Sequence, residues 1–453
     1  MKFDRFDYTV WAVLTALGLA IAGAIWMGDQ VGARVVGVFP EDGGQLGGLG
    51  RVGLTFAQPM RATSVEPLFT LDPPLPGKFV WEGQRLWFVP SQAYQPGQTY
   101  TARLQAGAAS QGGQTVKEDV VWRFTARLPE IVYIAPASQN REIWRITASG
   151  GQPVQLTHTD ANVYDFAAAP DGERIIYSVL NNEKGLDLWQ VTRDGEDSKL
   201  LVACGRDQCY VPTWSPDGGR VAYSRESAGV SPEAPNGPPR VWTVDVATGQ
   251  TAPLYSDSQV LGYGPSWSPD GGRLAFFDGG IGSIRVLNLQ TSEETLLPTQ
   301  MGALGSWSAD GQEMLYSDLS FGGEQPFVTV YRADFNTQEI TPVLGRDLNF
   351  ADYGPPAWSP DGQWMAISQR PPQGGAAKQL WLMHLDGSEA RPITDEPLYT
   401  YGGYHWDGWG TALVFQRFEI GQPYAQPELR VWTLTTNEVE PLVKDATQAA
   451  WLP

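Results

Sequence analysis

Side chains suited to acid–base or metal chemistry are sparse in this sequence. The three histidines, His158, His384 and His405, are scattered, with neither the spacing of a metal set nor the partners of a nucleophilic triad. His384 follows a strand tryptophan and reads as structural, whereas His405, between Tyr404 and Trp406, is the histidine best placed to reach a channel. Cys204 and Cys209 bracket four residues, a spacing that closes a small disulfide loop in an oxidising compartment, two free thiols being the alternative. No Gly-x-Ser-x-Gly turn occurs. Asp165 and Asp352 precede predicted inner strands and are the candidates for a carboxylate pair of the kind that cleaves polysaccharides. Tyrosines are more regular: Tyr164, Tyr210, Tyr263, Tyr353, Tyr401 and Tyr404 recur just ahead of a repeated aromatic position. Gathered with His405 at a channel mouth, they would form a funnel that stacks on sugars or grips a peptide; the plainer reading is packing between sheets. No catalytic residue, metal or cofactor is assigned.

The elements that would position these residues follow from a repeat. FAAAPDGERIIYS at Phe166, WSPDGGRVAYS at Trp214, WSPDGGRLAFF at Trp267, WSADGQEMLYS at Trp307 and WSPDGQWMAIS at Trp358 are variants of one phrase, with an eroded copy, WDGWGTALVFQ, at Trp406. The leading aromatics lie 40 to 53 residues apart, a period suited to a four-stranded blade. Ser-Pro-Asp-Gly is turn chemistry, because Pro presets φ, Asp bonds nearby backbone N–H groups and Gly accepts positive φ. Trp214, Asp217, Trp267, Asp270, Trp307, Asp310, Trp358, Asp361, Trp406 and Trp451 therefore read as structural. Strands at Ile131, Ile143 and Pro153 lack a first partner, and the chain ends in QAAWLP, which resembles an inner strand running into the repeat tryptophan. The two ends predict one shared blade, hence a seven-bladed ring closed by the C-terminal strand, which removes free sheet edges.

The phrase resembles the repeats of TolB-like (WD40-like) β-propellers and of the propeller domains of prolyl-oligopeptidase relatives, across residues 130–453. In the peptidases of that group the resemblance implies a serine, aspartate and histidine carried by a separate α/β-hydrolase domain. Long insertions at Ser227 to Pro239, Phe321 to Pro326, Pro371 to Lys378 and Glu419 to Glu428 fall between second and third strands, so they share the face that receives the tyrosines, where binding is expected.

Residues 34–127 lack the phrase. VGLTFAQPM at Val52, LWFVPSQAYQPGQTYTARL at Leu86 and VVWRFTAR at Val120 resemble a bacterial Ig-like domain, which implies a β-sandwich stalk. Ahead of it, Thr9 to Met27 carries no charge and is just long enough to span a bilayer, so residues 9–28 are expected to form a signal-anchor helix. Lys2 and Arg5 place residues 1–8 in the cytoplasm and the bulk outside. The net charge of −19 argues against nucleic acid as a partner.

The sequence thus predicts an all-β protein: an N-terminal transmembrane helix, an Ig-like sandwich and a propeller. The expected role is non-enzymatic, binding or scaffolding an envelope protein or glycan. The alternatives are a propeller hydrolase or lyase acting on cell-wall polysaccharide, and a structural subunit of a membrane complex. Oligomeric state has no signature.

Overall fold

The computed structural model of the chain describes residues 10–19, 21, 32–231, 234–321, 326–344, 352–370, 375, 377–422 and 424–453. Of the expected membrane span, residues 10–19 and 21 are helical and exposed; the rest lies outside the described residues, as do residues 1–8 and parts of all four long insertions. Among the described residues, no helix is long and apolar enough to cross a membrane. The chain divides into two compact units, Met1–Arg127 and Leu128–Pro453.

In the first unit, strands Val35–Phe39, Val52–Phe56, Arg85–Pro90 and Gly77–Glu82 form one sheet, and Gly44–Leu46, Val120–Ala126, Thr99–Leu104 and Phe69–Asp72 form a second. Alternation along Val120–Ala126 turns Trp122, Phe124 and Ala126 inward, as expected of a strand with one buried face. They join Phe56, Phe88, Tyr94 and Tyr100 in a single core. Tyr100 stacks on Phe124 at 5.6 Å, and its hydroxyl accepts a hydrogen bond from the Gln95 N–H at 2.9 Å. This is a sandwich whose aromatics are used up in packing.

The second unit is a succession of four-stranded antiparallel meanders. Their first and second strands are Val163–Ala168 with Arg174–Leu180, Gln208–Trp214 with Arg220–Glu226, Tyr263–Trp267 with Arg273–Asp278, Ser306–Trp307 with Glu313–Ser320, Ala357–Trp358 with Met365–Gln369, and Tyr399–Trp406 with Ala412–Glu419. The remaining sheet takes three strands, Glu130–Ala135, Glu142–Thr147 and Val154–Gln155, from the start of the unit and its fourth, Thr447–Leu452, from the end of the chain.

The repeat phrase explains both the turn and the stacking. Ser215 Oγ donates to Asp217 Oδ1 at 2.6 Å, the Gly219 N–H reaches the same oxygen at 3.0 Å, and the Arg220 N–H donates to Ser215 Oγ at 2.9 Å. The pattern recurs around Asp270, Asp310 and Asp361. In the eroded copy Asp407 alone does the work, accepting from the Thr411 N–H and hydroxyl. The tryptophans reach sideways. The indole N–H of Trp214 donates to Ala167 O, that of Trp267 to Thr213 O, that of Trp307 to Ser266 Oγ and that of Trp406 to Ala357 O. Trp451 completes the series by donating to His405 O at 2.9 Å, whereas Trp358 bonds within its own turn. Each of these indoles except that of Trp358 bonds the inner strand of the preceding sheet, satisfying a buried donor while burying a large apolar face. Arg174 over Trp214 and Arg220 over Trp267 add cation–π contacts at 4.9 and 5.2 Å.

Candidate functional site

Inner strands carry a register irregularity ahead of the repeat aromatic: between Tyr210 and Thr213, Tyr263 and Ser266, Gly402 and His405, and Thr447 and Ala450. These are β-bulges, and each holds a residue in the left-handed region: Val211, Gly264, Gly403 and Gln448, with φ between 50° and 62°. A bulge re-aims the side chain beside it. Here it turns Tyr210 and Tyr263 toward their neighbours.

Three of the expected tyrosines meet. Tyr164 packs edge-on to Tyr210 with centroids 6.0 Å apart, and Tyr210 meets Tyr263 at a tilt, with centroids 5.9 Å apart. Tyr210 is buried, while Tyr164 and Tyr263 are 49% and 45% exposed, so the arc presents two half-open rings to solvent around a fixed centre. The other three do not join it. Tyr353, Tyr401 and Tyr404 are buried in sheet-to-sheet packing; the Tyr401 hydroxyl donates to Glu396 and that of Tyr404 to Pro355 O. For them the plainer reading applies. His405 is exposed on its inner strand. His158 is exposed, and His384 stacks on Trp364 at 4.2 Å.

Acidic groups sit against the arc. The Tyr210 hydroxyl donates to Glu226 Oε1 at 2.5 Å; burial first, and this carboxylate second, push the phenol pKa up. Asp165 accepts from the Ser178 hydroxyl, and its Oδ2 from the Val211 N–H at 2.6 Å. Burial raises its pKa to about 6, against the opposing pull of those bonds and of the Arg141 charge. Arg141 itself donates to the Tyr164 carbonyl at 3.0 Å, as does Gln448 at 3.2 Å. Asp352, the other carboxylate singled out, is engaged by Arg370 and Lys378, both at 2.8 Å, and so is a structural ion pair. Cys204 and Cys209 are joined, with Cα atoms 6.3 Å apart, and Cys209 lies one residue before Tyr210 on strand Gln208–Trp214.

Glu226 was not singled out by sequence. The signal that could have found it is register: Tyr210 pairs with Ser224 and Gln208 with Glu226, so a residue two places beyond the serine of the phrase lies beside the tyrosine. Among the described residues no group of three or more metal-ligating side chains assembles. The arrangement offers aromatic faces, negative charge and one carboxyl poised near neutrality.

Residues 29–126 match the family model of a bacterial Ig-like domain. A curated relative from Bacillus subtilis (strain 168), an uncharacterised peptidase, is 25% identical over 192 residues, which is 35% of this chain and 29% of the relative, so the chain spans under a third of that protein's length. Among solved structures, a puromycin-hydrolysing peptidase of Mycobacterium tuberculosis is similar with a TM-score of 0.50 at 15% identity, covering 79% of this chain and 53% of that one. TolB from Acinetobacter baumannii is similar with a TM-score of 0.42 at 19% identity, covering 72% and 83%. The expectation of a non-enzymatic protein is corrected by the Bacillus subtilis match, since that relative is a peptidase; in fold, the chain is an all-β protein with an Ig-like domain at residues 29–126 and propeller-like structural neighbours.

Proposed function

We propose that the chain is the substrate-handling propeller of a peptidase-type hydrolase: a ring of seven blades, closed by the C-terminal strand, that takes hold of a peptide at its tyrosine-lined mouth. The observation that carries this reading is the Tyr164–Tyr210–Tyr263 arc, with two half-exposed rings beside a fixed one; rings so placed stack on peptide planes and side chains with little loss of freedom. The Cys204–Cys209 disulfide supports an oxidising compartment, and the uncharged stretch before the Ig-like domain supports tethering to a membrane. Envelope proteins are then the source of the peptides. The test is calorimetric titration of the whole chain with unstructured peptides, comparing wild type with Y164A/Y263A, whose two sites are exposed enough to spare the fold. At least a tenfold loss of affinity is expected; equal affinity moves substrate handling away from the mouth.

A second reading, cleavage of a cell-wall polysaccharide, is favoured by one observation. Asp165, with a pKa of about 6, is able to give and take a proton near neutrality as an acid–base residue does. Release of reducing ends from peptidoglycan glycan strands by the wild-type chain, and none by D165N, is the outcome that would favour it over the peptide reading.

A further inference from the structure

We propose that the tyrosine arc and Glu226 together form a cation site that takes the alkylammonium group of a peptide, at its amino terminus or on a lysine side chain. The inference rests on the peptide reading above and adds the chemistry by which the peptide is selected.

Glu226 is the key. Its Oε1 accepts from Tyr210, its Oε2 meets only the Asn236 amide at 3.4 Å, and among the described residues no lysine or arginine nitrogen forms an ion pair with it. Nearby cations are committed elsewhere. Arg225, adjacent in sequence, pairs with Asp207 at 2.7 Å and lies over Trp242 at 4.8 Å. Arg206 donates to Gly229 O, and Arg141 acts on Asp165 and Tyr164. A partly buried carboxylate without a countercharge is unusual, because such groups are normally paired. The rings supply the rest of a cation's surroundings. Tyr164 and Tyr263 turn half their surface to solvent, within electrostatic reach of one another and, for Tyr263, of Glu226. Burial first, then Tyr164, Asp165 and Glu226, raise the Tyr263 pKa above the ordinary tyrosine value, and its ring is neutral and electron-rich at physiological pH as phenols are. An ammonium over such rings is held by their quadrupoles as well as by the carboxylate, and the net charge of −19 steers cations toward the molecule.

The test titrates the whole chain with three versions of one short neutral peptide: a free amino terminus, an acetylated amino terminus, and an acetylated form carrying one lysine. Butylammonium alone is the fourth probe. The free-amine or the lysine peptide is expected to bind at least tenfold more tightly than the acetylated peptide, and which of the two does so identifies the source of the ammonium. E226Q should erase that preference, and salt should weaken only the charged probes. Y263A, at an exposed ring, should reduce butylammonium binding severalfold and serves should E226Q fail to fold. Equal binding of all three peptides overturns the cation site and leaves the peptide reading standing. Butylammonium binding without any peptide binding upholds the site and removes the peptide reading. Unchanged preference in E226Q, or unchanged butylammonium binding in Y263A where that variant has to serve, refutes the assignment to this cluster.

Discussion

Asp165 offers the sharpest physical test, because its burial has a calculable consequence for stability. Its carboxyl is displaced from an ordinary 3.8 to about 6, and each pH unit of displacement corresponds to about 1.4 kcal/mol, so the folded chain disfavours the charged form by roughly 3 kcal/mol. The folded-state pKa lies above the unfolded one. The folded state therefore binds the extra proton between pH 4 and 6, stability falls as pH rises through that window, and the penalty is complete above pH 6. Asp165→Asn removes the titration. It also removes one acceptor, since an amide nitrogen cannot receive the Val211 N–H that Oδ2 now accepts, at a cost of about 1–3 kcal/mol. At pH 4 the variant should thus be the less stable by that amount, and at pH 7.5 about as stable as wild type or somewhat more so. The assay is urea unfolding of both chains by tryptophan fluorescence at half-unit steps from pH 4 to 8. Every other titrating group is common to both, so only the difference matters: it should move by about 3 kcal/mol in favour of the variant. A difference that stays flat across this range refutes the account of the buried carboxylate.

Other outcomes follow from the packing. Trp214→Ala deletes a buried indole, its bond to Ala167 O and the Arg174 contact, and should lower stability by about 3–5 kcal/mol in denaturant titration. Removing residues 447–453 strips the strand that pairs with Glu130–Ala135 and bares a sheet edge; a lower melting temperature and concentration-dependent aggregation by light scattering are expected. The double change Cys204→Ser and Cys209→Ser opens a short loop and should cost about 2 kcal/mol in denaturant titration, in line with the entropy of closing so few residues.

Much of this architecture was legible because its signals are local. A serine, an aspartate and a glycine within five residues close the turn at Asp217 by themselves, so the phrase reports a turn wherever it occurs. The strand Thr447–Leu452 could be anticipated because Trp451 repeats a position whose partner sheet lies elsewhere in the chain. The tyrosines show where local signals stop. All six lie just ahead of a repeat aromatic, yet only Tyr164, Tyr210 and Tyr263 meet, because Tyr401 and Tyr404 find acceptors in Glu396 and Pro355 and sink between sheets. Glu226 was invisible for the same reason: its importance comes from the cross-strand register with Gln208 and from the arginines that do not pair with it. The peptidase likeness had its signal in the repeat phrase, but that phrase is shared with TolB-like propellers and so did not by itself separate an enzyme from a binding module.

The bulges locate where the repeat departs from its own rule. At Gly264 the left-handed residue is a glycine, and its N–H is received by the neutral Ser224 hydroxyl at 3.0 Å. At the sheet before it the same position is Val211, and the N–H is received by Asp165, itself held by the serine equivalent to Ser224. A neutral hydroxyl and a glycine are therefore enough to latch one blade to the next. This pair of sheets carries instead a β-branched residue in a conformation that disfavours it and a carboxylate in a setting that raises its pKa, both beside Tyr210. Such paired violations of local preference gather at working sites and not in scaffolding. Val211→Gly tests the first half. Relief of left-handed strain, about 1–2 kcal/mol, is offset by glycine's greater freedom in the unfolded chain, about 0.5–1 kcal/mol, and by the lost contacts of a half-buried side chain. Stability should change by less than about 1 kcal/mol in denaturant titration. A loss of several kcal/mol would mean that the valine is there to hold the blades together, and the case for a functional departure at this latch would fall.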